Sequence, residues 1–249
     1  MKTKKTRIII TYIVLFTLLL GAILLSLYIG SVSIAPRQVF SVLTGHGTDA
    51  KAMQIILSIR LPRVLAAAIL GGALAVSGFL LQTFFRNPIA GPFVLGISSG
   101  AKLVVALAMI VGVSHGITMS SWFMIAMALI GSLLSMLFVL AVSKKVQEMS
   151  MLVVCGVMIG YICSAVTDFI VTFADDADIV NLHNWSKGSF SGITWNNVSI
   201  MAIVTGVTLI WIFLLSKPLS AYQMGESYAR NMGLNVQMFR ILLVLLSSV

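Results

Sequence analysis

The residue types that make and break bonds are scattered through this chain, not clustered. His46, His115 and His183 stand alone, with no HExxH and no Cys/His cluster around them, so nothing in the spacing argues for a metal site. Cys155 and Cys163, the only cysteines, lie eight residues apart in one apolar run. On a helix that is an offset of about 80°, and without a CxxC they read as small packing residues. No GxxxxGK[ST] occurs, so the chain offers no P-loop for ATP. Within the apolar runs no nucleophile-and-base set stands out. Enzyme chemistry is therefore not expected, and no cofactor is called for. What remains are charges in unusual places. Arg60 and Arg63, in the sequence RLPR, precede a long apolar run; there arginines either snorkel to an interface or offer a planar fork to carboxylates. Asp168 falls inside an apolar run, where an acid is a pathway candidate or is bonded to Thr167, Thr172 or another helix. Lys102 sits close enough to a helix start to snorkel.

The elements that must carry these residues follow from composition. Only 9% of residues are charged while 59% are hydrophobic, and mean hydropathy is +1.07. A soluble domain carries about a quarter charged residues, so this chain cannot coat itself in polar surface and the bilayer must be its solvent. Backbone groups in lipid need internal partners, which predicts helices. The expected fold is all-α, a polytopic transmembrane helical bundle read as a single transmembrane domain over 1–249. Apolar runs place spans at about 8–30, 64–85, 93–113, 120–142, 151–173 and 197–216, with a seventh starting near Met238. The first run is about 23 residues, longer than a signal core of roughly 7–15, and reads as a retained span. The last, from Met238 to Val249, is too short to cross, which predicts that further spans follow in the whole protein. With the N-terminus in the cytoplasm, basic residues of the connections divide ten inside to five outside, the asymmetry that sets orientation. The net charge of +9 is then a matter of topology, and nucleic acid is not an expected partner.

Three stretches carry local signals. Ala67, Gly71 and Ala75 recur every four residues, a small-xxx-small pattern that predicts a central, closely packed helix. Arg86-Asn87-Pro88 ends that helix, because Pro88 lacks a donor and biases Asn87 away from helix; Gly96, Ser98, Ser99 and Gly100 then open the next span. In the connection 217–237, Ser220 and Gln223 read as a capping box with Leu219 and Met224 as its staple. Gly225 breaks the turn, Glu226 starts a second short helix at its positive end, and Gly233 stops it. Within the outer connection 31–63, residues Ala52 to Ile59 predict a short surface helix.

These residues carry a resemblance. RLPRVLAAAILGGALAVSGFLLQTFFRNPIAGPFVLGISSGA, Arg60 to Ala101, closely resembles the signature of the permeases of ABC importers for iron chelates and cobalamin, the FecCD-like family. The likeness continues through CGVMIG at Cys155, through Trp185, Gly188, Ser189 and Trp195, and through MGESYARNMGLNV at Met224. It implies a ten-span importer permease fold, here truncated within the seventh span, in a bacterial plasma (inner) membrane. It implies uptake of an iron-siderophore, haem or cobalamin by ATP-driven alternating access. The implied partners are two cytoplasmic ATP-binding subunits, a second permease subunit, identical or homologous, and an extracytoplasmic binding protein, all around a lipid-embedded core. By the same resemblance Arg60 and Arg63 dock the binding protein. Ser220, Gln223, Gly225, Glu226, Ala229, Arg230 and Gly233 belong to the coupling loop that meets the ATPase, and Asn87 with Met149 and Ser150 forms the gate. A secondary transporter driven by an ion gradient is the alternative, but it wants paired acids or broken helices at mid-membrane, and only Asp168 is a candidate.

Overall fold

The computed structural model describes residues 2–47, 49–91, 93, 96–114, 120–143 and 149–248. Every regular element among them is helical. The long apolar runs become α1 (Lys2–Tyr28), α4 (Leu61–Phe85), α5 (Ile97–Ser114), α6 (Ser121–Ser143), α7 (Met149–Val171), α9 (Trp195–Leu214) and α12 (Val236–Ser248). Short helices fill the connections: α2 (Pro36–Leu43), α3 (Ala50–Gln54), α8 (Asp176–Lys187), α10 (Ser216–Gln223) and α11 (Glu226–Asn231). Among the described residues five helices are long and apolar enough to cross a membrane, and α5 and α12 are shorter apolar helices. Tyr12, Phe16 and Leu18 of α1 are all more than 60% exposed, as expected of a helix whose solvent is hydrocarbon. The chain is a multi-pass membrane protein.

The helices fold as two compact units. Residues Met1–Leu70 and Phe190–Ile203 form one, and Gly71–Ser189 and Val204–Val249 form the other. In the first, Leu27, Ile34, Val39, Val42, Ala52 and Ile56 make a small core. In the second, the cluster around Leu81, Phe84, Phe85, Met136, Tyr222 and Leu243 is larger, and Val105, Met109 and Leu182 head a satellite.

One expectation is corrected here. Ala52 to Ile59 is no separate surface helix. The helix starts at Ala50, capped by the Asp49 carboxylate, which accepts from Lys51 N at 2.9 Å and Ala52 N at 3.3 Å. It then runs unbroken for 36 residues to Phe85, through a π-helical turn at Ile55–Arg60. Pro62 explains the turn, since its ring would clash with the carbonyl of Ser58 in an α-helix, and one π turn shifts that register. Small residues meet their partners within this chain at one place. Ala67, Gly71 and Ala75 are exposed, and nothing lies within 4 Å of a Cβ built on Gly71. The tight packing occurs instead where α5 meets α6 and α7. A Cβ on Gly100 would strike Ser135 and the Gly131 carbonyl, and one on Gly131 would strike the Gly100 backbone. Gly96, at φ +75°, lies so close to α7 that a Cβ would sit 2.8 Å from Gly160 N. Only glycine allows backbones this near, with the van der Waals contact that holds helices together without hydrophobic drive.

Candidate functional site

Arg60 and Arg63, one helical turn apart, are used differently. Arg63 is exposed. Arg60 is 8% exposed; its guanidinium donates to the carbonyls of Leu27 at 2.6 Å, of Tyr28 at 2.8 Å and of Val32. The last carbonyls of a helix have no donor of their own; here one buried cation supplies those of Leu27 and Tyr28 and holds the Val32 carbonyl beyond them. Gly30 makes room, because a Cβ there would lie 2.6 Å from the guanidinium. A second orphan is met nearby. In the π register Leu57 O would accept from residue 62, which is proline and has no N–H. The indole of Trp195 donates to it instead, at 2.9 Å. Beside this turn lies a groove of about 590 Å³, lined by Leu19, Ile23, Ile55, Ile59 and Val64, with Arg63 among its few polar groups. In this turn sequence reasoning missed the capping by Arg60. The two partners lie about 32 residues apart in the chain, so no local pattern announced the meeting.

The 217–237 connection folds as two short helices, as the sequence predicts, with one change. The first does not begin at a Ser220 cap. It begins at Ser216 after Leu215, with Pro218 in the first turn where its missing N–H is harmless. Ser220 is interior, its hydroxyl donating back to Ser216 O at 2.9 Å. Gln223 reaches Thr83 Oγ1 at 3.2 Å instead of its own helix start. The second helix starts at Glu226, as expected. Gly225, at φ 129° and ψ 150°, takes a conformation closed to side chains. Gly233 at φ 84° is the stop: its N–H donates to Arg230 O and that of Leu234 to Ala229 O.

The loop is anchored from within. Tyr222 and Ala229 are wholly buried. The Tyr222 ring lies 5.5 Å from that of Phe239, and its hydroxyl donates to Glu226 Oε1 at 3.3 Å. The same carboxylate oxygen is held by Arg240 Nη2, and Arg240 Nε donates to Tyr222 Oη at 3.3 Å. Arg86 Nη2 stands 3.8 Å from that oxygen, with its guanidinium 5.5 Å from the Tyr222 ring centre. Burial pushes the Tyr222 phenol above its ordinary range, opposed by the Arg240 hydrogen bond, so it stays a donor to Glu226. Of the residues assigned to coupling, Ser220, Gln223, Arg230 and Gly233 are exposed and Ala229 is inside. Met224 is no staple for the buried Leu219: it stands exposed together with Tyr228 and Met232, at 70%, 46% and 65% in chain order. Four residues apart, they put large apolar side chains on a loop outside the spans.

Asn87 is a half-buried turn residue. Its N–H donates to Gln82 O at 3.2 Å, its Oδ1 accepts from Ile89 N at 2.9 Å, and its carbonyl accepts from Ala90 N. Met149 and Ser150 open α7, and their side chains lie outside the described residues. Asp168 is exposed, and neither nearby hydroxyl serves its carboxylate: Thr167 donates to Cys163 O and Thr172 to the Asp168 backbone.

Comparison with known proteins agrees with the resemblance read from the Arg60–Ala101 block. The chain is 37% identical over 227 residues to the vitamin B12 import system permease protein BtuC of Klebsiella pneumoniae, and 36% identical over 228 residues to that of Salmonella typhi. These alignments take in 91% and 92% of this chain, but the chain spans only 65% and 66% of those proteins' lengths. Among solved structures it is similar to an inward-facing conformation of a metal-chelate type ABC transporter, with a TM-score of 0.78 and 26% identity over 94% of this chain and 71% of that one. The FecCD transport family matches residues 18–249. From its long apolar helices to its glycine-stopped helix pair, the chain belongs to the FecCD transport family.

Proposed function

We propose that this chain is the membrane-spanning permease subunit of a binding-protein-dependent ABC importer, carrying an iron-siderophore, haem or cobalamin across a bacterial plasma membrane. The observation that carries the reading is the α10–α11 pair, tied down by Tyr222 and Ala229 while Met224, Tyr228 and Met232 stand exposed. A plain connector needs neither the anchor nor the apolar face. A loop that receives force needs both, because exposed apolar residues on a rigid base are what a partner binds. The names of the vitamin B12 permeases and of the metal-chelate transporter point the same way.

In this reading the N-terminus and the 217–237 loop are cytoplasmic. Two ATP-binding subunits engage the loop, which includes Ser220, Gln223, Gly225, Glu226, Ala229, Arg230 and Gly233. A second permease subunit completes the pathway, with Asn87, Met149 and Ser150 at its inner gate. Arg63 receives a carboxylate of the extracytoplasmic binding protein, while Arg60 fixes the turn that presents it. ATP binding and hydrolysis shift the pair between outward-open and inward-open states through differential contacts.

The test is uptake by the complete transporter in proteoliposomes with its binding protein. Uptake that requires ATP and the binding protein is the expected result. Uptake driven by an ion gradient without either would overturn the reading in favour of a secondary transporter. Arg63→Glu is expected to abolish uptake while membrane expression stays normal.

A further inference from the structure

We propose that Arg86 and Glu226 form a making-and-breaking contact that joins the end of α4 to the coupling loop, with Arg240 and Tyr222 as its fixed half. The proposal rests on the permease reading above and assigns these residues a positioning role within it.

The first observation is a strained backbone. Arg86, at φ 48°, is the one non-glycine residue with positive φ among those described. It occupies the C′ position after α4, where Arg86 N donates to Thr83 O at 3.4 Å and Asn87 N to Gln82 O at 3.2 Å. That is the site at which helices take glycine, since a Cβ is disfavoured there. A residue held against its backbone preference implies that its side chain is needed.

The second observation is what the side chain finds. One carboxylate oxygen, Glu226 Oε1, faces two guanidinium groups and a phenol. Arg240 and Glu226 have side chains only 22% and 23% exposed and are in direct contact, and Tyr222 donates to Glu226 and accepts from Arg240. Arg86 is 42% exposed and stops at 3.8 Å, too far for a hydrogen bond, resting over the Tyr222 ring. Two cations share one anion, so the weaker pairing is the one free to change. A small shift of α11, for which Gly225 supplies a permissive joint, closes or opens Arg86–Glu226 while Arg240 keeps hold. Since Arg86 directly precedes Asn87, a change in this pairing is delivered to the end of α4.

The experiment uses the complete transporter in proteoliposomes and reads ligand taken up per ATP hydrolysed, beside thermal stability. Arg86→Gly relieves the backbone and removes the guanidinium. Its melting temperature is expected to rise by a few degrees, as for glycine at a C′ position, while uptake per ATP falls about tenfold, the size of an ordinary coupling between sites. A merely structural arginine cannot give opposite signs. Arg86→Lys, which keeps the charge, is expected to hold uptake per ATP within about threefold of wild type, since the pairing is electrostatic. Glu226→Gln is expected to match Arg86→Gly in uptake per ATP but to lose stability, because Arg240 is left unpaired. Spin labels at Gln82 and Tyr228 are expected to change separation between nucleotide-free and ATP-bound wild type, and not in Arg86→Gly. Wild-type uptake per ATP in Arg86→Gly overturns the contact while leaving the permease reading intact. A wild-type complex without ATP-driven uptake overturns both.

Discussion

Arg60 and Arg86 stand immediately before and after α4, and the chain employs them in contrasting ways. Arg60 is buried and places its donors on the Leu27 and Tyr28 carbonyls at the end of α1 and on that of Val32 beyond it. Arg86 is nearly half exposed, over a ring and short of a hydrogen bond to a carboxylate that Arg240 already holds. A cation that satisfies backbone acceptors has no second arrangement of similar energy, because leaving would orphan buried carbonyls. A cation competing for a shared side-chain anion has two. The first arrangement makes a fixed platform, and the second makes a contact that a cycle can use.

The contrast is broken most severely at Arg60. Arg60→Met leaves the end of α1 without its donors and is expected to destabilise the protein by about 3 kcal/mol or more, seen as a lower melting temperature in detergent and poor membrane accumulation. A well-folded Arg60→Met that fails only to engage the binding protein would mean that the arginine docks and does not cap. Gly30→Ala probes the same platform more gently. Its new methyl group meets the pinned guanidinium, and overpacking of this kind costs about 1–3 kcal/mol; an unchanged melting temperature would show that Arg60 is free to move. Trp195→Phe leaves Leu57 O without its indole donor and is expected to cost about 1 kcal/mol, with faster amide exchange along the π turn as the local readout. The smallest effect belongs to the loop. Ser220→Ala is expected to change stability by no more than about 0.5 kcal/mol, as for an exposed helix-interior serine. A loss near 1 kcal/mol would restore the helix-start role read from the sequence.

Legibility tracked the range of the interaction involved. Hydrophobic runs located the apolar helices, most ends to within a few residues, because hydrophobicity over some twenty positions is a property of the run itself; the start of the second was missed, since its helix reaches back to Ala50. Glu226 as a helix start and Gly233 as a stop were equally readable, since dipole and left-handed backbone are local demands. Ser220 misled because a Ser-x-x-Gln pattern fits a cap, while Pro218 moved the start upstream and Thr83, distant in sequence, claimed Gln223. The small residues of α4 are a different case. Their spacing permits close packing but names no partner, and the partners met at Gly100 and Gly131.

The sequence by itself determined the bilayer as solvent, the helices, the two-helix loop and the family, all of which rest on composition, periodicity and local backbone chemistry. Only the tertiary structure decided that Arg60 turns inward, that Trp195 answers a carbonyl orphaned by Pro62, and that Arg86 and Arg240 meet at Glu226. Those outcomes depend on which unsatisfied group arrives beside which donor, and residues tens of positions apart in the chain carry no local signal of that meeting.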